Sequence, residues 1–146
     1  MDTLGYGTHL IVDGFGSSAA LHDEPWVVEA TLELFRAQTW TEDQPTRVSY
    51  WFPEGVSVGL SLPTAHLTLH TFAARQLFSL SLFNPQVLTT EGVTKLLRER
   101  FGIGRLEAYL SSRTITLPQD HDRAVKQLVG ERHYTDLRLD EGIFTF

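Results

Sequence analysis

Residues 55–83 read GVSVGLSLPTAHLTLHTFAARQLFSLSLF, and the alternation within them decides the fold. Successive side chains on a strand point to opposite faces. In Val56–Leu62, Val56, Val58, Leu60 and Leu62 therefore share one face, and Ser57, Gly59 and Ser61 the other. In His66–Phe72, Leu67 and Leu69 oppose His66, Thr68 and His70; in Leu77–Phe83, Phe78, Leu80 and Leu82 oppose Ser79 and Ser81. The preceding run Thr46–Phe52 has the same strand character. The connections, which carry Pro53, Gly55, Pro63 or Ala73-Ala74-Arg75, are short, whereas a parallel crossover needs about a dozen residues or more. The four runs thus form an antiparallel meander with one greasy face and one face of small hydroxyls and two histidines. That polar face is open to water, floors a pocket, or packs against a second subunit.

Outward from the meander, Thr8–Val12 reads as a first strand, ended by the turn-rich run Asp13-Gly14-Phe15-Gly16-Ser17-Ser18. Its two glycines lack the spacing of a dinucleotide-phosphate loop. A helix follows, with Asp23 as its cap, Pro25 in its first turn, a stripe of Val28, Leu32 and Phe35, and an end near Gln38. A second starts at Thr90, carries Val93, Leu96, Leu97 and Phe101 on one face, and stops at Gly102. A weaker helical pattern runs from Asp120 through Ala124, Val125, Leu128 and Val129 to Gly130. The expected architecture is α+β: a two-layer α/β sandwich in which an antiparallel sheet is covered by helices on one face, in a single domain over residues 1–146.

Composition narrows the function. Twelve Lys and Arg against eighteen Asp and Glu leave a formal net charge of −6, which argues against a nucleic-acid partner. No cysteine is present, which excludes a disulfide scaffold, a Cys-ligated metal and a Cys nucleophile. The start, Met1-Asp2-Thr3-Leu4-Gly5, shows no signal peptide, and no run is long and apolar enough for a membrane span, so a cytoplasmic protein without membrane partners is expected.

Few residues carry chemistry by themselves. His66 and His70 are the one close histidine pair, but four residues on a strand span about 13 Å, too far for two ligands that must each lie about 2.1 Å from one zinc. No metal is expected. His9, His22, His121 and His133 are scattered singly, and Asp120 and Asp122 beside His121 read as a helix start. No Gly-x-Ser-x-Gly elbow supports a serine hydrolase.

A resemblance adds what spacing cannot. Gly55-Val56-Ser57-Val58, then Ala65-His66-Leu67-Thr68-Leu69-His70-Thr71-Phe72, then Phe83 resemble the core of the prokaryotic S-adenosylmethionine decarboxylases, which reads G-V-S-G, then E-S-H-L-[TAS]-I-H-T-W, then F-T-C. The similarity is ungapped from Trp51 to Pro85; Gly7-Thr8-His9-Leu10 resembles the family's opening strand, and the whole extends over about residues 5–115. Residues 115–146 form a divergent C-terminal extension, in which Tyr134–Leu139 and Phe144-Thr145-Phe146 would add a helix and strands.

The resemblance implies a homodimer in which two sheets pack face to face with helices outside (αββα). It also implies a pyruvoyl cofactor made when the chain cuts itself before the serine of E-S-H. That carbonyl then serves as the electron sink for decarboxylation, on the way to polyamines such as spermidine. Residue by residue, the chemistry is missing. The serine position is Ala65, which has no hydroxyl to attack or to become pyruvoyl; the preceding glutamate is Thr64, and the cysteine that donates a proton is Pro85. The processing histidine and serine survive as His70 and Ser57, and Trp51 falls where an aromatic ring stacks on adenine.

The expectation is a catalytically inactive relative without a cofactor. It would act as a ligand-binding, regulatory or dimer-partner protein, paired with itself or with an active paralogue. Trp51, Ser57, His66 and His70 are the candidate residues for an S-adenosylmethionine-like molecule. The alternative is an active decarboxylase that uses non-standard residues.

Overall fold

The two hairpins predicted from residues 46–72 form because alternating chains pay no penalty on either side: leucine and valine meet helices below, and hydroxyls meet polar partners above. In the computed structural model, which describes residues 5–39, 44–84, 90–115 and 121–141, these become β2 (Thr46–Phe52), β3 (Gly55–Ser61), β4 (His66–Phe72) and β5 (Leu77–Asn84). A short 3-10 turn at Ala73–Arg75 links the last two. The first strand is longer than its apolar core suggested: β1 covers Gly5–Phe15 and takes in Asp13 and Gly14, so the turn begins at Gly16, whose φ is +71°. A sixth strand, β6 (Arg105–Ile115), has no counterpart among the expected runs; Arg105 and Glu107 beside Leu106 and Ala108 mute its alternation.

The six strands are ordered β2-β3-β4-β5-β1-β6, and each neighbouring pair is antiparallel. Helices α1 (Glu24–Thr39) and α2 (Thr90–Phe101) cover the apolar face. Asp23 caps α1 by accepting the Trp26 N–H at 3.2 Å, and Gly102, at φ +58°, ends α2. Val28, Leu32, Phe35, Val93, Leu97 and Phe101 are buried against Val56, Val58, Leu60, Leu67, Leu69, Leu80 and Leu82 in one apolar cluster. Gly14 makes room in it, since a Cβ there would lie 2.5 Å from the Phe78 ring.

The expectation of helices on one face only is corrected by α3. This helix runs from His121 to Glu141 and lies across the polar face, over β2, β3 and β4. α3 continues through Gly130, a position that faces open space. The result is three layers, α1 and α2 on one side of the sheet and α3 on the other. Among the described residues, no helix is long and apolar enough to cross a membrane.

Candidate functional site

Register aligns the polar side chains into rows across the sheet. Ser57 pairs with His70, His70 with Ser79, and Ser79 with Asp13; one pair further along, Gly59, Thr68 and Ser81 are aligned in the same way. On a wet face such groups would be hydrated. Here Ser57, His70 and Asp13 are 0%, 1% and 0% exposed, so each must find a partner inside the protein. α3 supplies the partners.

One chain of hydrogen bonds runs from cation to anion. Arg132 Nη1 donates to Ser57 Oγ at 3.0 Å, Ser57 Oγ lies 2.8 Å from His70 Nδ1, and His70 Nε2 lies 3.1 Å from Glu131 Oε1. Thr68 Oγ1 also donates to Glu131. A carboxylate only accepts, so His70 Nε2 carries a proton and donates to Glu131, while Nδ1 shares its hydrogen bond with the Ser57 hydroxyl. Burial pushes the Glu131 carboxyl up, but the hydrogen bonds it accepts from His70 and Thr68 pull the other way, and it stays below the usual carboxylate range.

The Arg132 guanidinium sits in a slot. Nη1 also donates to the Val56 carbonyl at 3.2 Å and Nη2 to the Thr71 carbonyl at 2.9 Å, while Cζ lies 4.4 Å from the Phe52 ring centre and 4.3 Å from that of Phe72. Further along α3, Arg138 Nη1 and Nη2 donate to the two Asp13 carboxylate oxygens at 2.6 and 2.8 Å, and Nη2 reaches Ser79 Oγ at 3.1 Å. Beside the helix, Arg75 reaches Asp136 at 2.5 Å and Asp140 at 3.1 Å. Leu128 fits over Gly59, where an added Cβ would lie 3.6 Å from it, and packs with Val48 and Ala124.

The expected ligand residues are not brought together. Trp51 pairs with Val56, so it points to the opposite side of the sheet from Ser57 and His70; it is 47% exposed, and its ring meets His22 edge-on at 5.1 Å. Tyr50 is the residue that pairs with Ser57. His66 shares the polar face with His70, yet it stacks on Phe83 at 5.4 Å, and neither ring nitrogen has a hydrogen-bond partner among the described residues. Burial lowers its pKa to about 4, against the opposing pull of Glu131. Ala65 is buried in the apolar cluster at the β3–β4 turn, where its carbonyl accepts the Leu62 N–H at 2.8 Å, and Thr64 is exposed. Pro85, Asp120 and Phe144–Phe146 lie outside the described residues.

Ser57, His70 and Glu131 have the order of a nucleophile, a base and an orienting acid. The Ser57 oxygen, however, already accepts from a guanidinium and has no open side from which an electrophile could approach. The arrangement binds α3; in this state it attacks nothing. Sequence reasoning missed Asp13, Glu131, Arg132 and Arg138. The available signal was Arg132, Thr135 and Arg138 at three-residue spacing, in line with Ala124 and Leu128.

Comparison with known proteins finds the same scaffold. A family model described as S-adenosylmethionine decarboxylase matches residues 8–114. The crystal structure of the adenosylmethionine decarboxylase from Aquifex aeolicus VF5 superposes with a TM-score of 0.59 at 15% identity, covering 80% of this chain and 96% of that one. No curated protein matches the sequence. α3 begins beyond the residues that the family model matches.

Proposed function

Because the chain belongs to the S-adenosylmethionine decarboxylase family, we propose that it is a member that neither cuts itself nor decarboxylates. It works instead as a binding protein whose polar face is closed by its own C-terminal helix. The observation that carries this reading is Ala65. At the position where the resemblance places the self-processing serine stands a methyl group, packed among apolar side chains. A methyl carbon cannot attack a carbonyl, and without that attack no pyruvoyl group arises to hold a substrate amine. Thr64 has a hydroxyl, but it is exposed at the turn.

The fate of the surviving residues supports the same reading. Ser57 and His70 are buried, and their polar atoms are taken up by Arg132 and Glu131. A ligand, a second copy or an active paralogue can reach this face after α3 has left it, so α3 acts as the gate. Intact mass measured under denaturing conditions, with carbon dioxide release from carboxyl-labelled S-adenosylmethionine, tests the proposal. We expect a single chain of 16.5 kDa and no release. Two fragments, or labelled carbon dioxide from tag-free protein, would overturn it and favour an active enzyme with non-standard residues.

A further inference from the structure

We propose that the slot beneath Arg132 is a guanidinium-binding site that the protein fills with its own side chain, and that a free ligand bearing a guanidinium group competes with α3 for it. This rests on the reading of α3 as a gate, and not on the absence of catalysis.

Every wall of the slot belongs to the sheet. Phe52 ends β2, Val56 and Ser57 begin β3, and Thr71 and Phe72 end β4. Their positions are set without α3. Thr71 Oγ1 accepts the Val56 N–H at 2.8 Å and donates to the Leu21 carbonyl at 2.6 Å, which ties β3 to β4 and both to the segment before α1. Gly55 permits that closeness: at φ +157° its absent Cβ would stand 2.0 Å from the Thr71 carbonyl oxygen. When α3 lifts, the acceptors and rings remain in place.

The slot selects a planar cation that has N–H groups. Arg132 is 4% exposed, and among the described residues no carboxylate forms an ion pair with it. Glu54 and Asp136 act on the charge only from beyond ion-pair distance, and the direct contacts are two ring faces and the oxygens of Val56, Ser57 and Thr71. Two aromatic faces attract any cation, but the three oxygens are satisfied only by donors arranged as a fork. A quaternary ammonium or a sulfonium offers no N–H and would take one donor from each of them, although Ser57 would keep His70 and the Val56 carbonyl would keep the Thr71 hydroxyl at 3.3 Å. Arg138 differs in having a full carboxylate partner, so its contact is an internal ion pair.

The test uses the full chain carrying Arg132→Gly, which empties the slot, with n-propylguanidinium as the probe. Urea unfolding is followed with and without the probe, against matched sodium chloride, n-propylurea and tetramethylammonium. At about ten times its dissociation constant the probe should raise the folded-to-unfolded ratio of the variant about elevenfold, while the three control solutes do nothing and wild type gains nothing. A folded variant that ignores the probe, or an equal gain in wild type, overturns the proposal. If the variant does not fold, hydrogen exchange of wild type decides. The probe should speed exchange in residues 121–141 and leave β3 and β4 unchanged; unaltered exchange in α3 refutes competition. Neither reading depends on whether the chain is cut at residue 65.

Discussion

Replacing Arg138 by methionine tests whether α3 is held to the sheet by charge. The native pair is sealed, with the Asp13 side chain 0% and the Arg138 side chain 3% exposed and both carboxylate oxygens bonded. Methionine keeps much of the apolar stem and removes the guanidinium, leaving the Asp13 carboxylate and Ser79 without their donor. Breaking one side of a buried pair costs about 3–5 kcal/mol, a large share of the about 5–15 kcal/mol that holds a domain folded. The protein can shed part of that loss by letting α3 lift so that water reaches Asp13, so two readouts are needed. Urea unfolding followed by tryptophan fluorescence gives the global change, and hydrogen exchange of residues 121–141 gives the local one. We expect the midpoint to fall by the equivalent of several kcal/mol, or α3 to lose protection while the strands keep theirs. Asp13→Asn should behave alike, and the double variant should lose much less than the sum. A loss below about 1 kcal/mol, with the two substitutions additive, would refute the described docking of α3.

The remaining predictions concern His66 and residue 65. His66 favours its neutral form in the fold, with a pKa of about 4 against 6.5, so between those values the unfolded chain binds a proton that the folded chain does not. Its contribution to stability therefore falls as pH drops through that window, by up to about 3 kcal/mol in all, and levels off below it. His66→Phe should remove that part of the slope. It should also be at least as stable as wild type near neutrality, because two unpartnered nitrogens leave the interior; an unchanged slope in pH-resolved urea titrations would count against this. Ala65→Ser restores one oxygen but neither the glutamate before it nor the release of Ser57 and His70 from α3. Mass spectrometry should find an uncut chain heavier by that atom alone, and cleavage would show that the serine was all that was missing.

The meander was legible because its two faces differ in chemistry at every second residue. β3, β4 and β5 fall within a residue of the runs read from Val56, His66 and Leu77. α1 and α2 were equally plain, since each buries leucine, valine and phenylalanine at helical spacing. α3 was half-hidden for a physical reason. Its buried side begins with Ala124 and Leu128 and continues with Arg132, Thr135 and Arg138, which no hydrophobic pattern detects; Gly130 then imitates a stop. The same fact hid the site. A polar face can be read from alternation, but that it is filled by the chain's own arginines depends on long-range register, as when Asp13 meets Arg138 from the far end of the sequence. The opposite orientation of Trp51 was, by contrast, available in advance, because residues 50 and 51 cannot share a face.

The attachment of α3 has a thermal corollary. Exposing apolar area raises heat capacity and exposing polar area lowers it. Its seat combines hydroxyls, carbonyls, carboxylates and guanidinium groups with the hydrocarbon of Val48, Ala124 and Leu128 and the rings of Phe52 and Phe72. Detachment should therefore carry a smaller heat-capacity increment than the release of an all-apolar helix of the same length, and its enthalpy should vary less with temperature. A fastener of this kind answers to ionic strength and to competing solutes as well as to climate.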